Sequence, residues 1–163
     1  MTDHSLREYT PAIGNQYRAH MGNLARILSG EMEGVGRAVK RLEISPSSPC
    51  ATDGDTVFLT YPIFPSVTDE RMNIICTEAV LAHEAAGHLR YTNFNAWKRV
   101  TDGVKKGHED KLLHDFVNIF EDARVNYLLG QDFGGSKKRL DFAQSAIMAS
   151  HREKIMASEE GIT

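Results

Sequence analysis

Two histidines, the first followed directly by a glutamate, lie in the stretch AVLAHEAAGHLRYTNF, residues 79–94. His83 and His88 are five residues apart, and this spacing constrains the backbone more than any other feature of the chain. In a regular helix, residues four apart stand about 40° out of line with roughly 6 Å of rise. Two imidazoles at that spacing can reach one metal ion. At five apart the offset grows to about 140°, and the rings face different sides. Convergence therefore demands a helix widened by one residue, a π-bulge with about 4.4 residues in its turn. Ala85, Ala86 and Gly87 are the small residues a widened backbone needs, and Gly87 has the freest torsions. One alternative needs no bulge: Glu84 and His88 are four apart, share a face and could be ligands with His83 outside.

The flanking pattern places this segment on a long helix. Residues 71–92 carry Met72, Ile75, Cys76, Ala79, Val80 and His83 along one face, with Ser66 or Thr68 as cap and Asp69 and Glu70 in the first turn. TVFLTYPIF, residues 56–64, is β-branched and aromatic and is expected to be a strand; Pro62 makes it an edge strand or ends it early. Helical periodicity runs from Ser5 to about Val39, with Tyr17, Met21, Leu24 and Leu28 in register and Gly30 as a stop. A second short helix is expected over 31–42, and a Ser-, Pro- and Gly-rich loop over 45–55. Residues 93–107 read as irregular, broken at Gly103 and Gly107. A long helix covers about 109–129, ended by Gly130, and another covers 137–157. There are no internal repeats. These elements predict one α+β domain over residues 1–163, mainly helical, with a small sheet whose edge strand 56–64 lies beside the histidine helix. Phe94 and Trp97 are expected to fill the core behind that helix, Cys76 to be a buried thiol, and His4, His20 and His108 to be surface residues.

Bulk properties remove several function classes. The chain has 163 residues and a formal net charge of -3, which leaves no electrostatic footprint for nucleic acid. Lys137, Lys138 and Arg139 form the densest basic run, a solvated turn. No apolar stretch approaches the roughly eighteen residues a membrane span needs. The N-terminus has neither a basic start nor an apolar run, so no signal peptide is expected, and Cys50 and Cys76 read as reduced thiols in a cytoplasmic protein. The charged tail HREKIMASEEGIT has no clear finish, which suits the N-terminal part of a longer protein.

The chemistry concentrates in two segments, HEAAGH at 83–88 and NIFEDARVN at 118–126. The first resembles the zinc motif H-E-x-x-G-H of the dipeptidyl peptidase III family at all four fixed positions. That family's second motif, E-E-C-R-A-E, is matched at Glu121 and Arg124, with Asp122 and Asn126 in place of two glutamates. The run from ATDGDTVFLTYPIF through LAHEAAGHLRYTNF to NIFEDARVN also looks like the metallopeptidase-like domain that precedes von Willebrand A domains in bacterial and phage proteins, where the motif is usually H-E-x-x-H.

Both likenesses point to the zincin group, and they imply zinc bound by His83 and His88 with Glu84 as general base. Alignment on the shared arginine gives Asp122 as third ligand; Glu121, with its longer reach, is the other candidate or a partner to one histidine. Asn118 and Asn126, four residues either side of Asp122, share its face and could orient the site. Arg124 reads as a salt-bridge partner rather than a substrate clamp. His114 lies at the edge of the site, and Tyr91, Tyr127 and His151 are candidates to stabilise an oxyanion. The implied activity is zinc-dependent hydrolysis of peptide bonds in a peptide or protein substrate, with the edge strand binding an extended peptide by strand addition. The rival is a non-catalytic scaffold module, working with a von Willebrand A domain and a ring ATPase. An open coordination position would favour the enzyme, and a fourth protein ligand the structural site.

Overall fold

Residues 70–91 form one continuous helical rod, and its burial on nearly every side explains why the other elements gather around it. A helix apolar all round has to be central. In the computed structural model, which describes residues 11–34, 37–64, 70–103 and 108–160, the rod begins as α2, Glu70–Ala82. It continues as a π-helical turn, His83–Leu89. Cys76, Leu81, Ala85, Ala86 and Leu89 along it are all fully or almost fully buried. Helix α1, Pro11–Leu28, lays Met21, Ala25 and Leu28 against it, spaced so that they fall on one face. The rod is covered elsewhere by α4, His108–Asp132, which crosses the π turn, and by α5, Gly134–Glu160, which runs along α2. Helix α3, Phe94–Gly103, links the rod to α4.

The sheet has three strands, β1 (Arg41–Ser45), β2 (Ala51–Thr52) and β3 (Thr56–Thr60), in the order β1-β3-β2. β1 runs parallel to β3, with Arg41 opposite Thr56 and Ser45 opposite Thr60. β2 is antiparallel, with Ala51 opposite Phe58 and Thr52 opposite Val57. Val57 and Leu59 alternate inward on β3 and are fully buried, and β3 packs on α2. In the tight turn before β3, Asp53 Oδ1 accepts the backbone N–H groups of Asp55 (2.9 Å) and Thr56 (2.7 Å). The Thr56 bond contributes most to holding that carboxyl below its usual range.

The architecture is α+β, mainly helical, as the sequence pattern indicates, but several local expectations are corrected. Strand β3 is central, not an edge; it does end early, as Pro62 suggests, at Thr60 ahead of the cis Tyr61–Pro62 peptide. The cleft-side edge is β2, inside the stretch read as loop, and it is β2 that packs on the π turn. Among the described residues of the expected second helix only Glu31–Glu33 is helical, a single 3-10 turn between Gly30 and Gly34, both at positive φ; Arg41 and Leu42 belong to β1. β1 exists because β3 is there to pair with, a non-local cause that periodicity cannot carry. Residues 94–103 are helical rather than irregular, with Asn93 Oδ1 accepting the Ala96 N–H at 3.0 Å as a cap. α4 continues through Gly130 to Asp132, and α5 begins at Gly134. Ser5, Ser66, Thr68, Asp69 and His4, and the side chains of His108 and His151, lie outside the described residues. His20 is exposed and pairs with Glu78 at 3.2 Å, and Cys76 is buried, its thiol pKa raised by burial. Among the described residues no helix is long and apolar enough to cross a membrane.

The chain reaches α2 through a buried amide clamp. Asn73 Oδ1 accepts the Phe64 N–H at 2.8 Å, and Asn73 Nδ2 donates to the Phe64 carbonyl at 3.2 Å. Truncation would strand two buried backbone groups, each costing about 1–3 kcal/mol. Asn73→Ala is therefore expected to lower the unfolding free energy by about 2–6 kcal/mol, measured by urea denaturation against Asn95→Ala on α3, an exposed position, as control.

Candidate metal centre

The π turn does to His83 and His88 what a regular helix cannot. Their rings stand nearly perpendicular, at 89°, with centroids 4.7 Å apart, and the two Nε2 atoms are 3.2 Å apart. The extra residue per turn is absorbed where the chain carries Ala85, Ala86 and Gly87, all buried. Gly87 also lets α4 come close. A Cβ there would lie 3.3 Å from Val125 Cγ2, tighter than ordinary side-chain contact. Val125 is fully buried at that crossing, and Asp122, three residues before it, is held over the histidines. Asp122 Oδ1 is 3.1 Å from His88 Nε2 and 3.7 Å from His83 Nε2. Among the described residues, His83, His88 and Asp122 are the one group of three side chains whose ligand atoms could share an ion. Glu84 and Glu121 are outside that group, and the pairing of Glu84 with His88 that excludes His83 is not the arrangement seen.

The donor set suits a small divalent cation on two counts. First, both outer ring nitrogens are committed as donors. His83 Nδ1–H donates to Asn126 Oδ1 at 2.7 Å. The Thr92 hydroxyl donates to Glu121 Oε1 at 2.6 Å, so at its other side, 3.0 Å away, it accepts from His88 Nδ1–H. With neutral rings both Nε2 lone pairs then face inward beside a carboxylate oxygen, an arrangement that a cation relieves, as does a proton on His88 Nε2 donated to Asp122. Second, a tetrahedral zinc with bonds of about 2.0–2.2 Å separates its ligand atoms by about 3.3–3.5 Å. The observed separations of 3.1 to 3.7 Å bracket that figure.

The two adjacent carboxylates of α4 have different jobs because successive helical residues point about 100° apart. Asp122 enters the donor group; Glu121 turns toward the end of the rod. Arg124 Nε and a terminal nitrogen grip Glu121 at 2.8 and 2.7 Å, and Arg124 also donates to the Tyr91 carbonyl at 2.8 Å. Arg124 and then burial act in opposite directions on the Glu121 carboxyl, and the net effect is a lowered pKa. The outcome is a chain from Arg124 through Glu121 and Thr92 to His88, a hydroxyl-bridged version of the carboxylate–histidine–metal arrangement.

Glu84 is only 5% exposed. Burial pushes its carboxyl up to about 7, His88 opposing and Asp122 assisting. A cation at the three donor atoms would pull it back toward the carboxylate form. Burial, then the neighbouring His88, holds His83 below its usual value. Burial also opposes charge on His88, but Asp122, Glu84 and Glu121 outweigh it and raise that pKa.

These groups sit in a cleft of about 440 Å³, within the range of small-molecule and peptide-side-chain sites. Asp122, 48% exposed at its side chain, leaves the donor group open on that side. Asn118 and His114 face the cleft from α4, and the His114 ring lies 6.0 Å from Trp97. Trp97 therefore lines the cleft instead of filling the core, whereas Phe94 does both. Tyr127 is 65% exposed and away from the cleft, and the Tyr91 hydroxyl donates to Asp132, so neither is aimed at the donor group. Sequence reasoning missed Thr92, although it lies four residues after His88 on the same helix face. It also missed the cleft walls from β2 and α5.

Removing the Thr92 hydroxyl leaves His88 Nδ1–H without its acceptor at nearly unchanged volume. Thr92→Val is expected to weaken zinc binding about 10- to 100-fold, with Thr92→Ser close to wild type, both read by competition with a chromophoric chelator.

Compared with protein families, with curated proteins and with solved structures, the chain finds no match to any.

Proposed function

We propose that this chain is a zinc-dependent metallopeptidase, with His83, His88 and Asp122 as the metal ligands and Glu84 as the general base. The observation that carries this reading is a three-donor group, open toward a cleft, with a buried carboxylate on the residue next to one donor. Zinc, when bound there, supplies a Lewis acid that polarises the scissile carbonyl and acidifies a water in the open position. Glu84 takes the proton from the attacking water and gives it to the leaving amine. Its burial keeps bulk water from competing for that proton. Asn126 and Thr92 hold the two rings in the tautomer that turns Nε2 inward. His114 and Asn118, facing the cleft, are placed to donate to the carbonyl oxygen as charge develops on it. The exposed edge of β2 flanks the cleft at Ala51 and Thr52, where an extended peptide can add as a further strand.

The scaffold reading would be favoured by a closed site. Structural zinc is typically held by four protein ligands, and only three gather here among the described residues. The experiment is a pairing of metal content with activity. Wild type and Glu84→Gln are both expected to hold about one zinc per chain, and Glu84→Gln to hydrolyse a mixed peptide library about 10²- to 10⁴-fold more slowly. If both proteins hold zinc and neither cuts any peptide, the scaffold reading replaces this one.

A further inference from the structure

The cleft is chemically uneven along its length. At its Glu84 end the wall is aliphatic. Val80, four residues before Glu84 and so on the same face of the rod, lines it together with Leu140, Ala143 and Ile147 from α5, which packs on α2. Among the described residues Gln144 is the single polar side chain that α5 adds to the lining, and it is exposed. At the His88 end the lining is polar and aromatic, from Thr92, Trp97, His114 and Asn118. The division follows from which helices supply the lining: α5, packed on α2, gives the aliphatic side chains, and α3 and α4 give Trp97, His114 and Asn118.

We infer that the site selects peptides with a compact aliphatic residue, of the size of leucine, isoleucine or methionine, on the amine side of the bond that is cut. This rests on the peptidase reading above. Glu84 delivers its proton to the leaving amine nitrogen, so that nitrogen lies next to the Glu84 carboxyl. The side chain of the residue bearing it is one carbon away and falls on the wall of Val80, Leu140 and Ile147. An aliphatic group there leaves water for an apolar surface. A carboxylate would lose hydration beside Glu84 and Asp122 and find no lysine or arginine among the described residues of the lining. The aromatic and polar lining at the other end does not bear on this position.

The test has two arms. In the first, zinc-loaded wild type is given peptides that differ at that single position. Leucine is expected to exceed glycine by about 10- to 100-fold in kcat/KM, with aspartate poorest. Gln144→Arg, a surface change that leaves the fold alone, is expected to lift aspartate above glycine. Ile147→Ala is expected to move the optimum toward phenylalanine. In the second arm, calorimetry on zinc-loaded Glu84→Gln measures succinyl hydroxamates whose side chain is hydrogen, isobutyl or carboxymethyl. The isobutyl compound is expected to bind tightest by a similar factor. Equal affinities, or a leucine preference that neither variant moves, overturns the aliphatic pocket. Preferential isobutyl binding without any hydrolysis by wild type leaves the pocket standing and overturns the peptidase reading instead.

Discussion

Everything at the centre of this molecule depends on one widened helical turn. With regular winding, His83 and His88 would face about 140° apart; within the π turn His83–Leu89 their Nε2 atoms are 3.2 Å apart. A π turn has strained hydrogen-bond geometry and persists only where its surroundings hold it. Here they do. Ala85, Ala86 and Leu89 are buried against α1 and the sheet, the Arg37 N–H donates to the Leu89 carbonyl at 3.1 Å, and the Thr92 N–H closes on His88 at 2.8 Å. The close crossing of α4 over Gly87 brings the third donor and at the same time braces the turn.

From this follows a division of labour among the carboxylates. Asp122 is half exposed and faces the histidines; Glu121 is tied to Arg124 and Thr92 and steadies one of them; Glu84 is buried beside the group without joining it. Helical geometry alone separates Glu121 from Asp122. Burial separates Glu84 from both: its carboxyl favours the proton, whereas Arg124 keeps Glu121 ionised. Glu84 and Glu121 thus acquire different proton affinities from their surroundings, which is the condition for one acid to move protons while another stays a fixed negative charge.

The sheet packs Val57 and Leu59 into the core around the rod and, through β2, also shapes the cleft. β2 pairs with β3 on one side and packs on the π turn, bringing Ala51 and Thr52 to the cleft, and α5 supplies aliphatic side chains to the same lining.

Much of the site was legible in the sequence because it is local. The five-residue spacing of His83 and His88, with small residues between, implies a bulge from helix geometry alone, and four-residue spacings around Asp122 mark Asn118 and Asn126 as its neighbours on one face. The long helices were legible for the same reason. What depends on distant parts of the chain was not: β1 and β2 exist by pairing with β3, and so the strand that looked like an edge is central. The choice of Asp122 over Glu121 turns on how α4 is rotated as it crosses Gly87, and the place of Thr92 turns on Glu121 arriving from another helix. Sequence determined that a metal site here required a distorted helix. Tertiary structure decided which acid faces it and what walls the cleft has, because those are set by the packing of helices far apart in the chain.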